Sequence, residues 1–250
     1  MKKLFGLFVL LLFGLVSAQA SAAPGLITPP RIDAKAWMVA DFHSGHVLAE
    51  YRADERIDPA SLTKLMTAYV VFKDLRAGKL KLGDSIKVSN TAWRMPGSRM
   101  FVRVGSTVSA EDLIKGLLIP SGNDAAVALA EHLAGSETAF VARMNAEART
   151  LSLVNTHYAN STGLPTADHY SSARDLTRLA GFLIRDFPEY YHWNATKEYN
   201  YGGITQYNRN ALLWRDGGVD GIKTGHTRAA GYCIVASATR DKMRLISTVL

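Results

Sequence analysis

Alternating apolar and polar positions predict strands at both ends of the chain. Residues 37–42 and 47–51 are two apolar runs on either side of a short segment that contains Gly45. Residues 231–239 and 243–250 alternate in the same way across Asp241 and Lys242. Apolar runs joined by a short polar or glycine-containing loop are typical of a β-hairpin. We therefore expect a hairpin at each end, with residues 221–225 as a strand that leads into the second one.

The middle of the chain has helical periodicity instead. Asp58 suits the N-cap and Pro59 the first position of a helix. The apolar residues that follow recur at helical spacing until about Gly78. A second helix is expected to start at the capping-box-like Ser109 and to run to Ile119.

A proline then forces a corner between two helices. Pro120 ends the helix before it, because the residue before a proline is disfavoured in the helical region. An alanine-rich helix is expected from Asn123 to Gly135, so Ser121 lies in the corner, where side chains can point together into a cleft. The remaining pattern predicts helices at 136–150 and 174–185, short strands at 85–88 and 100–104, and a loop at 152–172.

The order of these elements predicts an α/β fold. Strands from both ends are expected to build one antiparallel sheet, and the helices between them to cover it. The chain still reads as a strand where it reaches Leu250, which leads us to expect a truncated sequence.

The first 22 residues resemble a secretory signal peptide. Lys2 and Lys3 precede an apolar run at residues 4–16, and small residues at 18–22 offer cleavage sites. The run is short for a membrane span. We therefore expect an exported protein whose folded domain comprises residues 31–250.

Composition narrows the range of partners. The chain is 48% hydrophobic and 20% charged, as is typical of a globular protein with a core. Its formal charge of +7 falls to +5 without the two signal lysines, and the cations are scattered rather than clustered. This pattern argues against nucleic acid and favours anionic cell-envelope polymers or lipid. A lone Cys233 excludes an internal disulfide.

The candidate chemistry begins with Ser61 and Lys64. A serine in the first turn of a helix lies where the free N–H groups and the dipole favour negative charge. A lysine three residues later reaches over the same face, so its amine can act as the base for the serine. A capped helix with a solvated lysine is the alternative for this pair alone, although no other serine here has a lysine three residues later.

Two further motifs follow in order, Ser121-Gly-Asn123 and Lys223-Thr-Gly225. Almost this set marks penicillin-binding proteins and class A β-lactamases. From about residue 35 onward the chain closely resembles the low-molecular-mass penicillin-binding proteins, which are serine D-alanyl-D-alanine carboxypeptidases. The matching stretches are Asp58-Pro-Ala-Ser-Leu-Thr-Lys64, Ile119-Pro-Ser-Gly-Asn-Asp124, Tyr170-Ser-Ser-Ala-Arg-Asp175 and Asp220-Gly-Ile-Lys-Thr-Gly-His226.

The resemblance implies a fold and a reaction. The fold is β-lactamase/transpeptidase-like, an antiparallel sheet built from both chain ends with helices on both faces and a helical subdomain. The reaction removes the terminal D-alanine from peptidoglycan stem pentapeptides in the periplasm or at the outer face of the cytoplasmic membrane. It requires no cofactor or metal, and β-lactams inhibit it covalently.

The resemblance also implies a role for each site residue. Ser61 is the nucleophile, Lys64 its base, and Ser121 relays a proton to the departing D-alanine. Asn123 hydrogen-bonds the peptide amide. The remaining four residues lie on the third motif: Lys223 keeps the cleft positive, Thr224 contacts the terminal carboxylate, Gly225 allows close approach of the substrate, and the backbone N–H of His226 joins that of Ser61 in an oxyanion hole.

Other functions remain open from the sequence. A class A β-lactamase needs a glutamate between the second and third motifs, and the loop at 152–172 contains only Asp168 as an acidic residue. A G-x-S-x-G elbow and an H-E-x-x-H metal motif are both absent from the sequence. A catalytically silent sensor of β-lactams or peptidoglycan would keep the same motifs.

The sequence departs from the family pattern at its C-terminal end. Members usually continue into a small β-rich domain and often into an amphipathic membrane anchor, so peripheral membrane attachment would depend on a segment that is missing here. By resemblance, an arginine that holds the substrate carboxylate would fall beyond Leu250.

Overall fold

The strands from the two ends of the chain pair into one antiparallel sheet. The structure is a computed structural model that describes Pro29 and residues 31–250, so the predicted signal peptide lies outside the described residues. In chain order the strands are β1 Trp37–Asp41, β2 Val47–Tyr51, β3 Ser85–Lys87, β4 Thr107–Ser109, β5 Glu198–Tyr201, β6 Ile204–Tyr207, β7 Val219–Thr227, β8 Gly231–Arg240 and β9 Met243–Val249.

The main sheet has five strands in the order β2-β1-β9-β8-β7. The two predicted hairpins are confirmed, and β9 joins them because it pairs with both β1 and β8. Strand β7 therefore lies at one edge, with β8 as its partner in this sheet. Two small two-stranded sheets, β3-β4 and β5-β6, complete the described strands.

Most of the predicted helices are confirmed, and several begin or end at the predicted cap residues. Ser109 accepts a hydrogen bond from the backbone N–H of Asp112, and Ser136 accepts one from that of Ala139. Gly135 ends its helix in the left-handed conformation, with φ of +76°. The α-helices are α1 Lys64–Arg76, α2 Asn90–Trp93, α3 Ala110–Leu118, α4 Asn123–Ala134, α5 Glu137–Thr150, α6 Ala173–Asp186, α7 Pro188–Tyr191 and α8 Leu212–Arg215.

The predicted start of the first helix is wrong. Residues Ala60–Thr63 form a 3₁₀ turn, no side-chain cap bonds to it, and the α-helix begins only at Lys64. Ala60 has a φ of +47°, in the left-handed region. A left-handed residue interrupts a right-handed α-helix, so the α-helix cannot begin at Pro59, with Asp58 as its cap, and continue through Ala60.

The predicted strand at 100–104 is also wrong. The buried carboxylate of Asp124 accepts hydrogen bonds from the backbone N–H groups of Met100 and Phe101 at 2.9 Å, so a strand partner cannot use them. Strand β3 pairs instead with β4.

Between α6 and β7, where the sequence pattern predicts no element, the structure has α7, a 3₁₀ turn at His192–Ala195, β5, β6 and α8.

Helix α1 is the centre of the core. It is buried on nearly every face, with 11 of its residues shielded from solvent, and it packs against α3, α4, α5 and α6. Helix α6 lies across β1 and β9, while Val39 and Leu245 on the other face of the sheet are half-buried. None of the described helices is both long and apolar enough to cross a membrane. This packing brings the start of α1, the α3–α4 corner and β7 together.

Candidate active site

The 3₁₀ turn before α1 holds Ser61 at the mouth of a cleft. Leu62 and Leu65 are fully buried on the core side of the turn, so Ser61, which is half-buried, is left facing outward. On the other side of the turn, the carbonyl of Ala60 packs against Gly163. A Cβ on Gly163 would lie 1.8 Å from that oxygen, so no larger residue fits there.

Lys64 lies beneath Ser61 with no exposed surface. Its Nζ is 3.0 Å from Ser61 Oγ, 2.7 Å from Asn123 Oδ1 and 2.6 Å from the carbonyl oxygen of Thr162. The Asn123 amide is oriented unambiguously, because its Nδ2 donates to the carbonyl of Pro96 at 2.6 Å. Lys64 thus has two neighbours that can only accept hydrogen bonds and one, Ser61, that can also donate.

Burial lowers the pKa of Lys64 well below its ordinary value. The positive charge of Lys223 lowers the pKa further, while the carboxylate of Asp124 opposes the shift. A neutral amine has two N–H groups and one lone pair. Since Asn123 Oδ1 and Thr162 O take the two N–H groups, the lone pair of neutral Lys64 faces Ser61 Oγ. This is the geometry of a general base in contact with its nucleophile.

The α3–α4 corner adds Ser121 to the cleft, as the sequence predicts. Ser121 has a φ of +68°, and its Oγ is buried with no hydrogen-bond partner among the described residues. Such a backbone conformation is costly for a residue other than glycine and is often found at functional sites. The adjacent Gly122 fits because its missing side chain leaves room for Gly116 O, Met100 N and Asp124 Oδ1.

Strand β7 forms the opposite wall. The side chain of Lys223 is buried, and its Nζ donates to the carbonyl of Thr224 at 2.9 Å. Burial, reinforced by the nearby positive charge of Arg209, lowers the pKa of Lys223 to about 7. A Cβ on Gly225 would lie 2.7 Å from Cys233 Sγ and 3.1 Å from the backbone nitrogen of Ser61. This glycine therefore lets β7 pack against the Ser61 turn, and its expected role toward substrate stays a prediction.

The cleft consists of two adjoining cavities of about 550 and 340 Å³ that share Ser61, Ser98, Arg209 and His226. Ser121, Thr224 and Gly225 line the larger cavity, and Asn123 lines the smaller one. Lys64 and Lys223 lie behind these walls. The structure thus brings all eight predicted site residues together around one cleft.

Arg209 and Tyr232 are among the cleft residues that the sequence does not single out. Arg209 is exposed and lines both cavities. Tyr232 lies against the ring of His226, with 4.1 Å between ring centroids. Both residues lie outside the three motifs. Arg209 lies in a stretch without helical periodicity, and Tyr232 lies on a strand, where a tyrosine is an ordinary β-forming residue. No pattern in the sequence therefore singles them out.

Neither cavity is lined by an Asp or Glu among the residues that the structure describes. Asp168, the acidic residue of the 152–172 loop, is exposed and does not line the cleft. Over the same described residues, no cluster of three or more His, Cys, Asp or Glu side chains could hold a metal ion.

The sequence profile of the peptidase S11 family, D-alanyl-D-alanine carboxypeptidase, matches residues 23–250. The chain belongs to this family. D-alanyl-D-alanine carboxypeptidase DacC of Escherichia coli (strain K12) is 48% identical to this chain. The alignment covers 94% of this chain and 61% of DacC. The chain thus spans about three fifths of the length of that relative.

Solved structures place this carboxypeptidase-family chain in the penicillin-binding protein fold. Penicillin-binding protein 5 from Haemophilus influenzae has a TM-score of 0.88 and 44% identity, over 90% of this chain and 67% of that one. Penicillin-binding protein D2 from Listeria monocytogenes, solved in an ampicillin-bound form, has a TM-score of 0.81 and 31% identity, over 89% of this chain and 91% of that one. The resemblance read from the three motifs is confirmed.

Proposed function

We propose that this chain is the catalytic part of a serine D-alanyl-D-alanine carboxypeptidase. The substrate would be a peptidoglycan stem pentapeptide that ends in D-Ala-D-Ala, and the product would lack the last residue. The observation that carries the proposal is the environment of Lys64, whose Nζ lies within hydrogen-bond distance of two fixed acceptors and of Ser61 Oγ. In the neutral amine the acceptors take both N–H groups, which leaves the lone pair for Ser61 Oγ. Membership in the S11 family supports the choice of substrate.

Acylation follows from this geometry. Ser61 Oγ attacks the carbonyl carbon of the penultimate D-alanine as its proton passes to Lys64 Nζ. The carbonyl oxygen becomes an oxyanion, which the backbone N–H groups of Ser61 and His226 would stabilise. Donors of this kind are typically worth about 3 kcal/mol each.

Departure of D-alanine needs a proton and a site for its carboxylate. The C–N bond breaks as the leaving nitrogen takes the proton from Lys64, with Ser121 Oγ as the relay. Thr224 and Arg209 line the same cavity as Ser121 and would hold the terminal carboxylate, while Asn123 would bond the peptide amide. Arg209 would thus supply a positive charge beside that carboxylate.

Hydrolysis of the ester by water then returns Ser61 and releases the shortened peptide. A β-lactam would form the same acyl-enzyme, but its ring-opened product keeps the leaving nitrogen tethered in the cleft. Because no described carboxylate lines the cavities to activate water there, we expect the β-lactam adduct to be long-lived. The ampicillin-bound form of the Listeria relative supports the binding of β-lactams by this chain.

The place of action is part of the proposal. The signal-like residues 1–22 support export to the periplasm or to the outer face of the cytoplasmic membrane, where peptidoglycan is accessible. Peripheral attachment to that membrane would depend on a segment beyond Leu250.

Incubation of the purified protein with penicillin and with a D-Ala-D-Ala pentapeptide tests the function. Intact-mass spectrometry should show one added penicillin mass on the peptide that contains Ser61, and the pentapeptide should lose one D-alanine. Rapid release of hydrolysed drug without an adduct would identify a β-lactamase. A stable adduct without D-alanine release would identify a sensor.

A further inference from the structure

His169 connects the 152–172 loop to the turn that carries the nucleophile. Its side chain is 4% exposed, and its Nε2 lies 2.7 Å from Thr63 Oγ1. The backbone N–H of Ala159 donates to its Nδ1 at 3.0 Å. An edge-to-face contact with the ring of Tyr158, at 5.9 Å between centroids, fixes the ring plane.

These two contacts determine the tautomer of His169. A backbone N–H can only donate, so Nδ1 is the acceptor and carries no proton. Burial lowers the pKa of His169 to about 4, so the ring is neutral near pH 7. The single ring proton therefore lies on Nε2 and is donated to Thr63 Oγ1. The imidazole is a two-ended link in which each nitrogen has a different role.

Both ends of the link touch the machinery of the proposed reaction. Thr63 is the residue between Leu62 and Lys64 at the end of the 3₁₀ turn. The loop on the other side carries Thr162, whose carbonyl oxygen is one of the two acceptors on Lys64 Nζ. A second contact holds the same loop to α1, because Thr67 Oγ1 donates to the carbonyl of Ser161 at 2.7 Å.

We propose that His169 is a positioning residue for acylation of Ser61, an inference that rests on the proposed function. By fixing Thr63 against the loop, it holds the Ser61–Lys64 turn and the Thr162 carbonyl in register. This register keeps the lone pair of Lys64 on Ser61 Oγ. A displacement of about 1 Å in such an arrangement costs about 100-fold in rate, even when its source is remote from the reacting atoms.

Two amide substitutions separate the two ends of the link. In His169→Gln the side-chain amide nitrogen reaches the position of Nε2 and can still donate to Thr63. In His169→Asn the amide oxygen occupies the position of Nδ1 and can still accept from Ala159, but the bond to Thr63 is lost. His157→Asn is the matched control, since His157 lies in the same loop but is exposed, and its ring hydrogen-bonds the carbonyl of Asp168 rather than Thr63 or Ala159.

The readout is the second-order rate constant for penicillin adduct formation, measured by intact mass from pH 5 to 9. We expect His169→Asn to acylate about 10- to 100-fold more slowly than the native protein. His169→Gln should stay within about fivefold, and His157→Asn should not change. The acidic limb of the pH profile of His169→Asn should also move to higher pH, because a loosened loop admits water to Lys64.

Thr63→Val tests the same link from its other end. Valine keeps the shape of threonine and removes the hydroxyl, so this variant should lose as much rate as His169→Asn. The double variant should lose no more than either single one, because both remove one interaction. Thr63→Val also carries the test if His169→Asn does not fold.

The outcomes separate this inference from the function on which it rests. A native protein that forms no adduct overturns the proposed function and the inference together. With normal native acylation, native rates in folded His169→Asn and Thr63→Val overturn the inference alone. So does an equal loss in His169→Gln and His169→Asn, or additive losses in the double variant.

Discussion

Replacement of Lys64 by methionine should remove acylation while the protein stays folded. Methionine fills nearly the same elongated, fully buried space as neutral lysine, but it cannot accept the proton of Ser61. A positioned general base contributes about 10²–10⁴-fold. The rate of penicillin adduct formation should fall by that factor, which corresponds to about 3–5 kcal/mol of barrier.

The cost in stability follows from the contacts of Nζ. Asn123 Oδ1 and the Thr162 carbonyl each lose a donor at 2.7 and 2.6 Å, and an unsatisfied buried acceptor costs about 1–3 kcal/mol. The variant no longer buries an amine, which offsets part of this cost. We therefore expect a net loss of about 1–3 kcal/mol, which lowers the Tm by about 2–12 °C in a domain of this size.

The assay follows the adduct on Ser61 by intact mass, with circular dichroism to verify folding. Lys73→Met is the matched control, because Lys73 is an exposed lysine of the same helix that pairs with Glu147. It should acylate at the native rate. Near-native acylation by folded Lys64→Met would refute the assignment of Lys64 as the base. Lys64→Arg is a poorer probe, because a longer, permanently charged group would overfill an enclosed site beside Lys223.

Four further predictions test other parts of the site. The lowered pKa of Lys64 makes it neutral above that pKa, so acylation should fall about tenfold per pH unit below it; a flat profile would contradict this. Burial lowers the pKa of Lys223 from its ordinary 10.5 to about 7, so between these pH values Lys223 binds fewer protons in the folded protein than in the unfolded chain. Its contribution to the free energy of unfolding, measured by urea titration, should therefore rise from about pH 7 to about pH 10. Gly163→Ala should slow acylation at least about tenfold and lower the Tm more than Gly45→Ala, since both glycines have positive φ but only Gly163 packs on Ala60; equal effects would show that the contact is unimportant. Arg209→Gln should reduce kcat/KM for a peptide with a free terminal carboxylate about tenfold and leave the corresponding C-terminal amide unchanged, whereas equal losses on both would exclude a carboxylate contact.

The sequence predicts the parts of this protein that depend on local pattern. Alternation identifies the two hairpins, and cap residues such as Ser109 and Ser136 mark helix starts because they bond to their own first turn. The order of the three motifs also predicts which residues meet at the cleft. The prediction that these residues meet depends on the family resemblance, since the spacing of the motifs alone does not show that Lys223 lies next to Lys64.

The remaining features depend on contacts between distant segments. The left-handed Ala60, which delays the helix, is held by Gly163, about a hundred residues later. The carbonyl of Thr162 on Lys64 is a backbone group, so no residue type reveals it. Asp124 reads as an ordinary first-turn acidic residue, yet its carboxylate organises the backbone at residues 100–102. Local propensity carries no information on any of these pairings.

The central place of β9 in the main sheet has a consequence for folding kinetics. Its register with β1 joins Trp37 to Val249, so the first and last described strands must meet before the sheet is continuous. Pairings of such high contact order form slowly. Until residues 243–249 have left the ribosome, β1 and β8 lack their shared partner, and the five-stranded sheet cannot be completed. Stopped-flow refolding should therefore give a rate in the range typical of β-rich domains, milliseconds to seconds.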